Sequence, residues 1–207
     1  MLLLLWLFSL PLLASNQPLQ HPDLFGYQQL ARNSLSIFPQ WLSVLERHLE
    51  ELAPAGSCRE TRFNQCHLKN WLAFLDSLRS LDEAEQVRRV NRYANAKPYV
   101  LDIENYGLED YWATPGEFLH NSGDCEDYAI IKMLSLKRLG VAPSRMRVVV
   151  VQDTNLRVAH AVMSLNTNSD IMILDNQIKE VISHRNIFHY VPVYSVSETR
   201  WWMHLPN

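Results

Sequence analysis

No block of lysines and arginines of the kind that nucleic-acid binding needs occurs in this chain, whose 19 basic and 22 acidic residues leave a net charge of −3 and a pI near 6.2. Nucleic acid is set aside as a partner on that ground. No run reaches the roughly 18 apolar residues of a membrane-spanning helix. There is no internal repeat and no low-complexity tract, which leaves solenoids and disordered arms aside. Cysteine is scarce, with three residues: Cys58, Cys66 and Cys125. Histidines 21, 48, 67, 120, 184, 189 and 204 show no metal-ligand spacing and read as core or surface residues.

What remains is an ordinary globular composition, 47% hydrophobic and 20% charged over 207 residues. That length suffices for one domain with a substantial core, or a catalytic domain with a helical lobe. The first fourteen residues, Met1 to Ala14, are a short apolar core followed by the small residues Ala14 and Ser15. This is the pattern of a secretory signal cleaved near Ala14. No Lys or Arg precedes the core, so a truncated start or an uncleaved anchor are the alternatives. Export, to the periplasm or beyond, is the expectation, and residues 1–15 are left out of fold reasoning. Export permits a disulfide. Cys58 and Cys66 either pair with each other, which leaves Cys125 as the odd thiol, or stand as two independent thiols; an unpaired cysteine in an exported protein is a candidate nucleophile.

Along the chain, residues 24–52 read as helical, with Leu42, Leu45 and Leu49 as the apolar stripe. Ala53-Pro-Ala-Gly56 breaks the pattern. A second helix is predicted over about 65–79 through Leu68, Trp71, Leu72 and Leu75, and a third over 82–96, acidic at its start and rich in arginine later, as the helix dipole favours. Residues 99–123 read as an aromatic, acidic loop. A further helix begins near Ser122-Gly-Asp124 and ends at Gly140. The period then changes. Strands are predicted at 147–151, 160–165, 171–175 and 191–195, the second and third joined by the turn Asn166-Thr-Asn-Ser-Asp170. The fold class is α+β, with N-terminal helices followed by a small antiparallel sheet packed on the helix that carries Cys125. The division expected is 1–15 signal or anchor, 16–98 helical lobe and 99–207 catalytic core, the last two forming one compact unit.

Cys125 stands in the first turn of its helix, where the dipole favours the thiolate, the nucleophilic form. His160 opens a strand and Asp175 ends the next. If those strands pair, Asp175 can accept the second ring N–H of His160, as the base-orienting member of a nucleophilic triad does. Each residue alone has a bland reading: a buried thiol, a strand-end histidine, a turn aspartate. The three together are more specific. Trp112 is read as a core aromatic, with donation of its indole N–H to an oxyanion as the alternative. Trp201 and Trp202 are read as packing residues or a partner surface.

Asp110-Tyr-Trp-Ala-Thr-Pro-Gly-Glu-Phe-Leu119 followed by Gly123-Asp-Cys-Glu-Asp-Tyr-Ala-Ile130 closely resembles the bacterial transglutaminase-like cysteine proteinases, and within them the periplasmic LapG-type adhesin proteases. His160-Ala-Val-Met163 and Leu174-Asp-Asn176 resemble the His and Asp motifs of that family, in the same order. The resemblance implies a papain/transglutaminase-like core with Cys125, His160 and Asp175 catalytic. It implies calcium dependence, with Asp124 and Glu126 as ligands, and cleavage of a large surface adhesin near a pair of alanines, which promotes biofilm dispersal. It also implies sequestration of the protease by an inner-membrane cyclic-di-GMP receptor.

The acids around Cys125 pose a physical problem of their own. Asp124, Glu126 and Asp127 should disfavour a thiolate. At an effective dielectric of about 20, one carboxylate about 4 Å away opposes it by up to about 4 kcal/mol, against about 0.3–1 kcal/mol from the helix dipole. A divalent cation held by these carboxylates reverses that field, and oxygen ligands select Ca²⁺ or Mg²⁺ over zinc. No twelve-residue EF-hand loop occurs, so further ligands must come from backbone, water or distant acids such as Asp102 or Glu104. The plain alternative is a set of helix-capping acids. Two other functions remain compatible with the same residues: a transglutaminase or cell-wall peptide amidase using the triad, and a calcium-binding regulatory module with an idle thiol.

Overall fold

The computed structural model describes residues 23–52 and 65–207. The apolar N-terminal run, the break at 53–56 and Cys58, with its pairing to Cys66, lie outside them.

Among the described residues the chain forms β1 (Tyr27–Arg32), α1 (Pro39–Glu51), α2 (Gln65–Leu78), α3 (Glu83–Asn95), the single turn α4 (Asp102–Asn105), α5 (Pro115–Asn121) and α6 (Cys125–Arg138), then β2 (Met146–Asp153), β3 (Val158–Asn166), β4 (Ile171–Leu174), β5 (Ile182–Ser183), β6 (Tyr190–Val196) and β7 (Trp201–Pro206). The strands make one antiparallel sheet in the order β1-β7-β6-β2-β3-β4-β5. None of the helices is long and apolar enough to cross a membrane. The α+β class and the packing of the sheet on α6 are as the sequence implies.

Residues 27–32 correct the helical reading of 24–52. They are an edge strand, entered through Phe25 and Gly26 at positive φ and paired with β7 from Tyr27↔Pro206 to Arg32↔Trp201. Their partner lies at the far end of the chain, so local periodicity carries no trace of it. α1 starts with Pro39 at its first turn, where a missing N–H costs nothing. It buries Trp41, Val44 and His48, while Leu42 and Leu49 face solvent, so the stripe lies on a different face from the one expected. Trp41 wins because its indole is enclosed and donates to the Ser197 carbonyl at 2.8 Å. α2 buries Leu68, Trp71 and Leu75 as expected, and Trp71 donates to Ser135 Oγ of α6 at 2.9 Å.

α3 is capped by Asp82, which accepts the Glu85 N–H at 2.9 Å. Asp82→Ala should lower stability by about 1 kcal/mol. The check is urea unfolding: the midpoint should fall while the slope stays constant. An unchanged midpoint would mean the cap contributes nothing to holding α3 against α6.

α6 is the central element. It packs on β3 and β2 on one side and on α3 and α5 on the other. Eleven consecutive residues, Glu126 to Leu136, are buried. It stops at Leu139, followed by Gly140 at φ 102°, the left-handed conformation that glycine adopts without strain. The sheet's other face carries Val149, Val151, Val162, Ile171 and Ile173, covered by Leu24, Ile187 and Tyr190. β3 and β4 pair across the 166–170 turn in the register Asn166↔Ile171 to Met163↔Leu174, as the strand reading required.

Candidate active site

The stretch 99–123, read as loop, contains α4 and α5. A signal for α5 was present: Thr114-Pro-Gly-Glu117 is a capping box, with Thr114 Oγ1 taking the Glu117 N–H at 3.3 Å and Glu117 Oε2 taking the Thr114 N–H at 2.8 Å. Arg47 of α1 holds this stretch through Tyr111, Glu117 and the Trp112 carbonyl. Val100 N–H donates to the Gly123 carbonyl at 3.0 Å, which lays residue 99 beside the start of α6. Gly123 is required there because a side chain would collide with the Asp127 carboxylate. Asp127, wholly buried, accepts the N–H groups of Ala113 at 2.7 Å and Asp124 at 3.3 Å, and so ties the loop to the helix.

Cys125 is the first residue of α6 and carries a free thiol. Its sulfur interacts with the backbone N–H of Ala161 on β3, next to His160, and its S–H donates to Glu126 Oε2 at 3.2 Å. His160 and Asp175 are 3% and 1% exposed and are joined by His160 Nε2 and Asp175 Oδ1 at 2.9 Å. Asp175 accepts three further groups' worth of order: its Oδ2 takes the Tyr190 hydroxyl at 2.6 Å, its Oδ1 takes the Gln177 N–H at 2.9 Å, and its carbonyl takes the Asn95 amide at 2.8 Å. Burial works to raise the Asp175 carboxyl, but the bonds from His160 and Tyr190 outweigh it and hold the carboxyl below the usual range. An ionised Asp175 accepts the Nε2–H of His160 and leaves Nδ1 outside that bond. Gln177 Nε2 lies 3.3 Å from that Nδ1. The strands thus bring His160 and Asp175 together, and α6 sets Cys125 against the neighbouring residue of β3.

The acidic residues gather as the sequence suggested, with more members. Ligand oxygens of Asp102, Asp110 and Glu126 lie within 4.8 Å of one another, as do those of Asp102, Asp124 and Asp127. Asp102 belongs to the cluster; Glu104 is exposed and does not. Burial, then the mutual charge of the acids, pushes Glu126 up to about 10 and Asp102 up to about 6. Burial, then Glu126 and Asp124, pushes the Cys125 thiol well up. Asp102 Oδ1 and Asp124 Oδ1 are buried acceptors with no donor. Orphaned carboxylate oxygens on two members of one acidic cluster fit a hard divalent cation.

Of two aromatic residues near the site, one keeps its reading and one gains a place. Trp112 is 6% exposed, packs on Trp41, and its indole N–H is committed to Asp110 Oδ1 at 3.2 Å. It is the core aromatic of the preferred reading. Tyr99, which the sequence singled out only as one of a loop's aromatics, stacks on Tyr128 with its phenol beside the Cys125 sulfur. Burial, then the sulfur and the acids, pushes that phenol up, so it stays a protonated donor at the mouth of the site. Gln177 and Tyr190 also escaped the sequence reading; only the pairing of distant strands brings them to the His160–Asp175 pair. Trp202 is packing: the Arg147 guanidinium lies 3.4 Å over its ring.

Comparison with known proteins bears on the family and the fold. The family model of the bacterial transglutaminase-like cysteine proteinases matches residues 56–207. LapG of Legionella pneumophila is 28% identical over 77% of this chain and 87% of its own, with a TM-score of 0.61. Its calcium-bound structure matches with the same values, and its EGTA-treated structure matches over 84% of that chain at the same identity and score. No curated protein matches the chain in sequence. With a family match over nearly three quarters of its length, the Gly123-Asp-Cys125 motif inside the match and a transglutaminase-like core around it, the chain belongs to the bacterial transglutaminase-like cysteine proteinases.

Proposed function

We propose that this proteinase is a calcium-dependent endopeptidase that cuts a large surface adhesin near a pair of alanines and so releases it from the cell. The observation that carries the reading is the buried pair of His160 on β3 and Asp175 just after β4, with the Cys125 sulfur held at the adjacent Ala161 N–H. In this reading Nδ1 of His160 takes the Cys125 proton. The thiolate attacks the scissile carbonyl, and the new oxyanion faces the Cys125 backbone N–H, unpaired at a helix start. The imidazolium then gives its proton to the leaving amine, and water, deprotonated by His160, cleaves the acyl-enzyme. Asp175 keeps the ring in place and balances its charge; Tyr190 and Gln177 keep Asp175 in place.

Asp124 and Glu126 are the proposed calcium ligands, with Asp102 as a further one. Bound calcium supplies positive charge beside a thiol that the acids otherwise disfavour. The similarity to a calcium-bound LapG structure supports the cation, and the orphaned oxygens support these ligands. The apolar run at 1–14 supports export. Sequestration by an inner-membrane cyclic-di-GMP receptor is proposed on the resemblance alone.

The test is incubation of the mature protein with the largest secreted adhesin of its host, with calcium or with chelator, followed by sequencing of new N-termini. One cut beside paired alanines, lost with chelator, is expected. An isopeptide-linked amine with no new N-terminus would assign the same triad to transglutamination, and an intact adhesin under both conditions would sink the protease reading of this substrate.

A further inference from the structure

Gln177 touches the His160–Asp175 pair at both ends. Asp175 Oδ1 takes the Nε2–H of His160 at 2.9 Å and, in an Asx turn, the backbone N–H of Gln177 at 2.9 Å. The turn brings the Gln177 side chain round the ring, and its Nε2 lies 3.3 Å from Nδ1. With Nε2–H committed to an ionised carboxylate, the neutral ring offers one lone pair, on Nδ1, and the amide N–H of Gln177 is its donor. The amide Oε1 in that place would set lone pair against lone pair. The nitrogen proposed to receive the Cys125 proton is thus already in a hydrogen bond. The thiol proton, for its part, points elsewhere: it is donated to Glu126 Oε2 at 3.2 Å.

The amide at Nδ1 and the chemistry exclude each other. One in-plane lone pair accepts one hydrogen at good geometry, so the S–H reaches Nδ1 only when the amide leaves. After the transfer the conflict grows, because Nδ1 then carries a hydrogen and two N–H donors face each other. Turning the amide over would present Oε1 instead, which would hold the Nδ1 proton away from the leaving amine. In each case the side chain has to swing out. It is placed to do so: Gln177 is exposed, whereas His160 is 3% exposed, so a surface side chain reaches inward to a buried ring. The Asx turn does not need this side chain, since any backbone N–H closes it and only proline lacks one.

We propose that the Gln177 side chain is a latch on the base: its amide occupies Nδ1 of His160 in the resting enzyme and is displaced before Cys125 engages that nitrogen. Gln177 is therefore a positioning residue that acts through His160. The proposal rests on the Cys125–His160–Asp175 reading. In the step it controls, the amide N–H···Nδ1 bond breaks and an S–H···Nδ1 bond forms in its place. One proton then passes from sulfur to Nδ1, and the amide returns to water.

The test uses Gln177→Leu and Gln177→Asn in the full calcium-loaded protein, with iodoacetamide at pH 7 as the probe of Cys125. Leucine keeps the bulk and loses the donor; asparagine keeps the amide but is one methylene too short to reach Nδ1. Both keep the backbone N–H on Asp175, so both should melt close to wild type. Each should alkylate about fivefold faster than wild type, the factor that one ordinary net hydrogen bond represents. The same two substitutions are then made in His160→Ala, where the latch has nothing to hold and the acceleration should vanish. A rate that stays at the wild-type value overturns the proposal. A slower rate overturns it too and makes the Gln177 amide a group that assists Cys125. An acceleration that persists in His160→Ala also overturns it, since the side chain would then only be shielding the thiol from the reagent. If His160→Ala by itself leaves the wild-type alkylation rate unchanged, the triad falls, and the latch with it, so the two failures are separable.

Discussion

Cys125→Ala should abolish proteolysis, lowering kcat/KM by about a thousandfold or more, while the protein keeps its fold. The thiol occupies the first position of α6, where alanine is tolerated; the packing of that helix comes from the residues that follow. His160→Ala should be as damaging, and the double variant no worse than either, because residues that act as a unit are not additive. Asp175→Asn should cost less than either. It keeps the Tyr190 and Gln177 contacts in part but removes the charge that faces the imidazolium. Adhesin cleavage followed by gel densitometry, with circular dichroism to confirm the fold, measures all four. Residual cleavage above a few per cent in Cys125→Ala would end the triad reading whatever the other variants do.

The second large effect joins the cation to the thiol. Chelation should stop cleavage and raise the apparent thiol pKa together. The direction follows from the site: burial and the carboxylates of Glu126 and Asp124 push Cys125 up, and neutralising those carboxylates removes the second contribution but not the first. With calcium, therefore, the alkylation-versus-pH curve should lie at lower pH than with chelator. Calcium at about a hundred times its Kd should also stabilise the fold by about 2.7 kcal/mol, visible as a higher melting temperature. Asp124→Ala with Glu126→Ala should lose both the calcium-induced melting shift and activity. It need not regain a reactive thiol, because Asp124 is also the residue before α6 and its N–H is held by Asp127. If the two alkylation curves superimpose while cleavage still needs calcium, the cation only braces the loop. If cleavage ignores chelator altogether, Asp124 and Glu126 are capping acids.

Much of the site was legible in the sequence because its signals are local. Gly123, Asp124 and Cys125 are consecutive, and the helix that follows has a cap at each end. The turn at 166–170 joins two runs of alternating apolar residues, which is enough to set His160 and Asp175 on neighbouring strands. The acidity around the thiol, and the need to neutralise it, follow from three adjacent residues and Coulomb's law. The resemblance to a cysteine proteinase family rests on the same contiguous motifs.

The rest depends on contacts between residues far apart in the chain. β1 has the composition of a helix and becomes a strand because β7, more than 160 residues away, offers its edge. α1 turns a different face inward from its leucine stripe because Trp41 finds the Ser197 carbonyl. Asp102 joins Asp124 and Glu126 only because the 99–123 segment is bonded back onto Gly123, and Tyr190 and Gln177 meet Asp175 only once the sheet is assembled. Sequence by itself put forward the groups proposed to carry the chemistry, since nucleophile, base and acids are properties of residue types at short spacing. Tertiary structure alone decided what surrounds them, because burial and long-range pairing set their charges and are not encoded by any local period.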